Sequence, residues 1–310
     1  MVGSNVLIGI PDDLQSNKVK FRLALQSDGE KVRRMVGNGA VRYIRVPLKN
    51  FDSILSSRLV IVAAEGDELR ACLISIWPYP PYAWLDALAA EQGPACDKIV
   101  DGLLDCFEHY LDLLGAHQVS CSFDDGDSNP VREILMAKGF SVTSRFLHYE
   151  KTNFSVPKFE TDHTVVRSCT NQDLASVYRI EEASFEPEWR NNGAKLRQII
   201  DRFPSFMVAL IDGIVAGFQY STVDGTGVGK FVHTAVAPRF RGLNVGKALL
   251  ADAIDFFQRQ RVKYIEVRTE KNRIAAQRLF TSFGFLPKGP HRDVLTKKLK
   301  LYWKRKLARD

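Results

Sequence analysis

The sequence predicts an α+β protein built from two tandem copies of one unit. Three observations carry that expectation. Residues recur at an offset of about 145 positions: Arg22 with Arg167, Asp28 with Asp173, Asp67 with Asp212, Ala71 with Ala216, Gly139-Phe140 with Gly284-Phe285. Hairpin-like apolar runs and amphipathic helical runs follow the same order around both sets of anchors. The 310 residues suffice for about two domains of ordinary size.

Taken in order, Met1 to Ser16 form an extra arm. The first copy spans 17–152. Val19 to Arg22 read as its opening strand, and Asp28 to about Met35 as a helix after a polar turn. Leu59 to Ala64, the turn Glu65-Gly66-Asp67 and Leu69 to Ile76 read as a hairpin. An insert, Trp77-Pro78-Tyr79-Pro80-Pro81-Tyr82-Ala83-Trp84, has the composition of a pocket or interface lining and equally of a packed hairpin tip. Ile99 to Leu114 read as an amphipathic helix, Gln118 to Phe123 as a strand, and Pro130 to Lys138 as the last helix. Lys151 to His163 are polar and turn-prone, which suits a linker. The second copy, 163–310, repeats the plan. Thr164 to Arg167 are its first strand and Asp173 to about Ala183 its first helix. Phe206 to Leu210 and Val215 to Thr222 form the hairpin about Asp212-Gly213. Ala248 to Arg261, Tyr264 to Arg268 and Ile274 to Phe283 are helix, strand and helix, and Val294 to Leu299 a final strand. Asp224-Gly225-Thr226-Gly227-Val228-Gly229 imitates a phosphate loop, but strands flank it and no helix follows, so it reads as a hairpin turn.

The second copy is organised around Val236 to Leu250. Thr234, Ala235 and Val236 are β-compatible, and Pro238 ends the strand. Gly242 and Gly246 let the backbone turn and approach a ligand. From Lys247 the apolar spacing is helical. Such a loop aims free amides and the positive end of a helix at one spot, which suits a phosphate or pyrophosphate. The run resembles the acyl-CoA signature of the GNAT superfamily of N-acetyltransferases, (Arg/Gln)-x-x-Gly-x-(Gly/Ala), with Arg241 first and Gly246 last. Asn244 stands where the family usually has its middle glycine, and Asn tolerates left-handed backbone angles better than most residues. Asn272, Ala275-Ala276, Leu279-Phe280 and Gly284-Phe285 extend the likeness, which covers Val165 to about Leu299. The resemblance implies, for each unit, a mixed, mostly antiparallel sheet flanked by helices. It further implies acetyl-CoA as co-substrate. Thr234, Ala235 and Val236 would hold the pantetheine arm. Arg241, Gly242, Leu243, Asn244, Val245, Gly246 and Lys247 would cradle the pyrophosphate, with Asn272 and Phe280 also at the cofactor.

In the first copy the region opposite the cradle reads Cys96-Asp97-Lys98-Ile99-Val100-Asp101-Gly102. Its paired glycines are gone, and Asp97 and Asp101 would repel a pyrophosphate. The first copy therefore reads as a scaffold without a cofactor loop.

Acetyl transfer to an amine needs a held thioester, a neutral amine and a proton for the leaving thiolate. The family's common base positions fall here on Lys230 and Val232, neither a convincing base. His233 has a suitable chemistry, but strict alternation turns it to the other face unless a bulge intervenes, and a satisfied structural histidine fits it better. Ile265-Glu266-Val267-Arg268 is similar to a stretch of the ribosomal-protein alanine acetyltransferase branch, where the Glu is the base; a solvated strand glutamate is the alternative. Phe280 replaces the Tyr that many members use as general acid, and Phe has no proton to give. Tyr220, Tyr264 or water would then serve. Glu181-Glu182-Ala183-Ser184-Phe185-Glu186-Pro187-Glu188-Trp189 also looks like that branch's acceptor cover: Glu186 and Glu188 would attract a cationic amine and Phe185 and Trp189 would pack on it. An ordinary capping loop fits the same residues.

Bulk composition narrows the classes. No run of 18 apolar residues exists, so no membrane span is expected, and Met1 to Asp13 do not form a signal peptide. Five cysteines without C-x-x-C and six scattered histidines argue for a reducing cytoplasm and against a metal site. Net charge is +7, and the nine Lys/Arg and two Asp between Lys288 and Asp310 account for all of it. That tail could meet nucleic acid, but solvated lysines on a terminal strand and extension explain it better. The expected acceptor is a small amine or amino sugar, or else a protein N-terminus, and a homodimer is left open. A CoA-binding sensor or assembly module without turnover is the rival class.

Overall fold

The structure is a computed structural model that describes residues 18–45, 54–56, 58–79, 81–126, 128–160, 164–289 and 291–299. The N-terminal arm 1–16, residues 161–163 of the linker, Pro80 of the aromatic insert, and the tail from residue 300 with Tyr302 and Trp303 lie outside those residues. The fold is α+β, and the chain forms two compact units, residues 1–144 with 292–310, and residues 145–291.

The first unit's strands are β1 (Lys20–Leu23), β2 (Val41–Ile44), β3 (Arg58–Glu65), β4 (Glu68–Tyr79), β5 (Tyr82–Ala90), β6 (Gln118–Asp124) and β14 (Arg292–Lys298). They lie in the order β1-β3-β4-β5-β6-β14, with β2 added against β5. Only β5–β6 is parallel. β3 reads as an unbroken apolar run because both of its faces are covered. Leu59, Ile61 and Ala63 pack with helices α2 (Cys96–Leu113) and α3 (Pro130–Ala137), whereas Val60, Val62 and Ala64 pack with α1 (Gly29–Asn38). On α2 the buried Val100, Leu103, Leu104, Phe107 and Leu111 keep helical spacing along one stripe.

The second unit repeats this plan with β8 (Thr164–Ser168), β9 (Ser205–Ile211), β10 (Ile214–Val223), β11 (Gly229–Val236), β12 (Ile265–Glu270), β13 (Leu286–Pro287) and the part of β7 (Ser141–Lys151) from Arg145 onward. The order is β7-β12-β11-β10-β9-β8, with β13 also on β7. Helices α4 (Leu174–Ser184) and α5 (Gly193–Arg202) cover one face through Val177, Ile180, Leu196 and Ile199. Helices α6 (Val245–Arg259) and α7 (Ile274–Ser282) cover the other through Ile254, Phe257 and Phe280.

The repeat anchors have physical causes. Arg22 donates to both Asp28 oxygens at 2.5 and 3.1 Å, and Arg167 to both Asp173 oxygens at 2.7 and 2.9 Å. Each aspartate also accepts from the backbone at the start of its short 3-10 turn, at Leu25 and Thr170. Gly139 (φ +90°) and Gly284 (φ +78°) end α3 and α7 in the left-handed conformation. The next residues, Phe140 and Phe285, then turn back into the cores, their amides bonding Leu135 O and Phe280 O.

The expected division into 17–152 and 163–310 differs from the compact units, because the closing strand of each copy belongs to the other unit. β7 ends the first copy in sequence, yet it pairs with β12 from Phe146↔Glu270 to Lys151↔Ile265. β14 ends the second copy, yet it pairs with β6 from Arg292↔Asp124 to Lys298↔Gln118. The two registers are twins at the repeat offset. β6 and β12 present equivalent edges, so the backbone groups are satisfied equally by a strand from either copy. β14 is anchored by the buried Leu295 and by Asp293, which accepts from Arg132 at 2.8 Å. Two cations of the basic run are paired as well, Arg292 with Asp124 at 2.8 Å and Lys297 with Glu108 at 2.5 Å. Strands β2 and β5 fall in stretches where the sequence announced no strand.

Candidate active site

Strand β11 runs parallel to β12 only from Gly229↔Ile265 to Phe231↔Val267. Beyond that point β12 continues with β7 at its other edge, and His233 to Val236 pair with β10 alone among the described strands. The sheet is thereby split, with a free β11 edge at Thr234, Ala235 and Val236. The Thr234 hydroxyl donates to Phe218 O at 3.0 Å, while Ala235 packs toward α4 and α5, and Val236 toward α6.

At the end of β11 the chain makes a short 3-10 turn, Pro238–Phe240, and then reaches Gly242 at φ +83° and Asn244 at φ +57°. Asn244 adopts the left-handed conformation expected for the missing glycine. Its side chain donates to Glu160 O at 3.1 Å, which fixes the turn from outside. Helix α6 begins at Val245, and Ala248 N to Asn244 O at 3.0 Å is its first backward bond. The amides of Val245, Gly246 and Lys247 precede that bond and have no helical partner. A Cβ on Gly246 would lie 3.4 Å from the Leu279 side chain, ordinary contact, so this glycine is not demanded by packing. Arg241 Nε donates to Val236 O at 3.3 Å, Lys247 stands 5.9 Å from the Phe159 ring centre, and Leu243 is exposed. Free amides, a helix N-terminus and two nearby cations fit a pyrophosphate. Asn272 is exposed in the turn before α7. Phe280 is not at the cleft surface: it is 2% exposed, packed among Tyr149, Phe231 and Phe285 with ring centres 6.3, 6.1 and 5.8 Å away.

The α4/α5 face of the sheet carries the titratable groups. A β-bulge interrupts the β10–β11 register, with Tyr220 opposite His233 and Ser221 opposite Phe231. Phe231 packs toward α6 and α7, yet two residues on His233 faces α4, because the bulged residue reverses the alternation. This is the condition under which His233 shares a face with Lys230 and with its register partner Glu266. Phe185 stacks on the imidazole at 4.3 Å and Tyr220 at 5.3 Å. Its Nε2 lies 3.1 and 3.0 Å from the two oxygens of Glu181, a fully buried residue of α4. Asn191 donates to the same carboxylate at 2.6 Å and to the Tyr220 hydroxyl at 3.2 Å. Burial, and then the Glu181 charge, push the Tyr220 hydroxyl well above the ordinary tyrosine range, so it is a poor acid. Tyr264 precedes β12 at the end where the strands are still paired, away from the split.

Glu266 is mostly covered, 3.8 Å from His148 Nε2 and 3.5 Å from Arg268 Nε. Glu150 on β7 is its register partner and lies 3.7 Å from the same His148 nitrogen. Arg273 bonds Glu270 at 3.1 Å and Ser184 O at 3.4 Å, which ties the end of α4 to the start of α7. The loop Phe185 to Trp189 is thus held over this face, with Trp189 edge-on to Phe146 at 5.2 Å, Glu186 exposed and Glu188 half-buried. The turn at Asp224 is a hairpin turn as expected: its carboxylate accepts from Thr226 N, Thr226 Oγ1 and Val228 N. Asn191 was not apparent as a site residue, and Glu181, inside the stretch that resembles the acceptor cover, was given no role of its own. Glu181 lies four residues after the buried Val177, so its place on the apolar stripe of α4 was the available signal.

A split parallel strand pair feeding a helix N-terminus, within a mixed sheet covered on both faces, defines an acyltransferase domain of the GNAT type. Residues 174–285 match the model of the Acetyltransferase (GNAT) family. A Bacillus subtilis (strain 168) protein, provisionally named a ribosomal protein bS18-alanine N-acetyltransferase, is 23% identical over 133 residues, 42% of this chain and 86% of that protein. A GCN5-related N-acetyltransferase of Sphaerobacter thermophilus superposes with a TM-score of 0.63 at 14% identity, covering 92% of this chain and 97% of that one. A tandem GNAT protein of the clavulanic acid biosynthesis pathway gives the same score and identity, over 91% and 99%. No described helix is long and apolar enough to cross a membrane. Among the described residues no three His, Cys, Asp or Glu side chains are grouped for a metal ion.

Proposed function

We propose that the second unit transfers the acetyl group of acetyl-CoA to a primary amine by direct attack. The observation that carries this reading is the split of β11 from β12, opening onto the unpartnered amides of Val245, Gly246 and Lys247. A lysine-type amine of pKa about 10.4 is neutral in only roughly one molecule in 2,500 at pH 7, a cost of about 4.6 kcal/mol. Proton acceptors facing the acceptor side, Glu266 and His233, are therefore part of the proposal. The thioester exchanges its C–S bond for a C–N bond. One amine proton leaves before attack, and the second reaches the thiolate by way of water, since Phe280 has none to give. A covalent acyl-enzyme is disfavoured: burial pushes the thiols of Cys72, Cys106, Cys121 and Cys169 up to about 12, which leaves no ready thiolate.

The acceptor is a small amine or amino sugar in our reading, drawn by Glu266, Glu150 and the Glu186–Glu188 loop. A protein N-terminus is the second reading, supported by the name of the Bacillus subtilis relative. We place the enzyme in the cytoplasm on its five unpaired cysteines. Release of free CoA from acetyl-CoA over an amine panel tests the proposal. Saturable, amine-dependent release is expected. Tight acetyl-CoA binding with no release for any amine between pH 6 and 10 would instead make the protein a sensor.

A further inference from the structure

We infer that Glu181 is a positioning residue that makes His233 the immediate proton acceptor for the incoming amine, leaving Glu266 to hold the amine's charge. The inference rests on the acetyl-transfer reading and deepens it. A carboxylate only accepts hydrogen bonds, so the Nε2 that sits 3.0 and 3.1 Å from the Glu181 oxygens carries the ring proton. That fixes the tautomer and leaves the Nδ1 lone pair available, and Nδ1 makes no hydrogen bond among the described residues. Phe185 and Tyr220 stack on the ring and hold its plane. Glu181 is 0% exposed and His233 only 16%, so the imidazolium formed on proton uptake is neutralised where water screens poorly. Asn191 donates a further hydrogen bond to Glu181 Oε1 at 2.6 Å and so restrains the carboxylate from turning away.

His233 also lies one residue before Thr234, at the mouth of the split, whereas Glu266 pairs with Lys230 while the strands are still joined. The other titratable groups on elements around this face are Tyr220 on β10, Lys230 on β11 itself, Glu266 and Arg268 on β12, His148 and Glu150 on β7 beside Glu266, and Glu186, Glu188 and Arg190 after α4. Arg179 and Glu182 of α4 point to solvent. The balance is simple. The ammonium gives one proton to Nδ1, the neutral nitrogen attacks the acetyl carbon, the C–S bond breaks, and the second nitrogen proton passes to sulfur. His233 then releases its proton to water.

The experiment compares full-length wild type, Glu181→Gln, His233→Gln and Glu266→Gln in kcat/KM across pH 6 to 10, using the best amine of the panel. At pH 7 we expect Glu181→Gln and His233→Gln each to lose about 10²-fold, and the double variant to lose no more than the worse single one. The deficit should close as pH approaches 10, where the amine is neutral without help, while the KM for acetyl-CoA stays within about twofold. A deficit constant with pH would mark Glu181 as merely structural and overturn the inference. Glu266→Gln showing the pH-closing deficit instead, with Glu181→Gln active, would overturn it too. If Glu181→Gln does not fold, ¹⁵N NMR of the wild-type imidazole decides. Nε2–H with bare Nδ1 supports the assignment, and the opposite tautomer refutes it. That spectrum also separates this inference from the parent reading, because it needs no turnover.

Discussion

The two units share one plan and use the same strand edge in opposite ways. In the second unit β11 leaves β12 after three paired residues, and its free half faces the cradle. In the first unit β5 leaves β6 after its own three, Tyr82↔Gln118 to Trp84↔Ser120, but the free half is taken at once by β2, from Val41↔Ala90 to Ile44↔Ala87. Tyr43 on β2 is buried, and its hydroxyl accepts from Ser122 N on β6 at 3.0 Å. The chain's own backbone thus sits where the second unit keeps room for a ligand. The stretch that follows the first helix becomes this plug in one copy and the Phe185–Trp189 cover in the other. The register twin of His233 is Ala87, opposite Ile74 as His233 is opposite Tyr220, so an apolar side chain stands where the second unit has a titratable histidine; the bulge residue before it, Asp86, is buried and bound by Arg45 at 2.5 Å. The link from β5 to α2 is five residues, Glu91–Ala95, against eight, Ala237–Asn244. The first unit keeps the framework but has the gap filled and the loop shortened.

The comparison breaks most completely if the copies are separated. Removing residues 292–310 takes β14 from the first unit. β6 then loses its antiparallel partner along its whole length, and the core loses Val294 and Leu295. We expect no cooperative unfolding transition for the first unit and aggregation through the bared edge. Calorimetry of the truncated chain checks this; a native-like transition would mean that β14 is dispensable.

Next in size is the cradle. Gly246→Asp adds a carboxylate beside the amides proposed for the pyrophosphate. One repulsive pair at about 4 Å is worth about 4 kcal/mol at an effective dielectric of 20, so acetyl-CoA affinity should fall by two to three decades. The Cβ itself fits, so the thermal midpoint should hardly move. Gly93→Asp in the shortened loop of the first unit should leave affinity unchanged. Titration calorimetry on both variants reads the contrast directly, and equal losses would place the nucleotide elsewhere.

Much of this architecture was legible because it depends on local patterns. The Arg22–Asp28 and Arg167–Asp173 pairs, the αL glycines before Phe140 and Phe285, and the Gly242–Gly246 loop all declare themselves within a few residues. The strand exchange did not, since β6 and β12 offer equivalent edges and no local residue says which copy's strand will fill them. β2 was equally hidden: Val41-Arg42-Tyr43-Ile44 is too short to announce a strand, and its fold depends on a gap created by residues far along the chain. The facing of His233 depended on a one-residue bulge, which alternation alone cannot place. Glu181 received no role from the sequence because that role needs a partner 52 residues away.

The plug should be sensitive to less than a full substitution. Tyr43→Phe leaves Ser122 N buried without its acceptor, at a cost of about 1–3 kcal/mol. The ring itself, tilted against Phe123 with centres 4.7 Å apart, stays. Denaturant unfolding should report that loss while kcat and acetyl-CoA affinity remain at wild-type values. A change in turnover would show that the first unit's filled gap bears on catalysis after all.

The smallest expected effect separates the twin ion pairs. The Arg167 hydrogen bonds hold the Asp173 carboxyl at about 2, against the opposing influence of burial. Asp28 is also lowered, but there burial pushes upward as the largest single influence and the Arg22 bond has to overcome it. A carboxylate depressed on folding contributes stability that is full above its unfolded value near 4 and is lost as pH falls through its folded value. For Asp173 that window runs from about pH 4 down to about 2. Arg167 is 42% exposed, so screening limits the contribution to about 1 kcal/mol or less at neutral pH. Asp173→Asn should therefore flatten the dependence of unfolding free energy on pH between 2 and 5 more than Asp28→Asn does, as urea titrations at each pH would show. Equal slopes would mean that the two anchors, alike in sequence and geometry, are alike in energy as well.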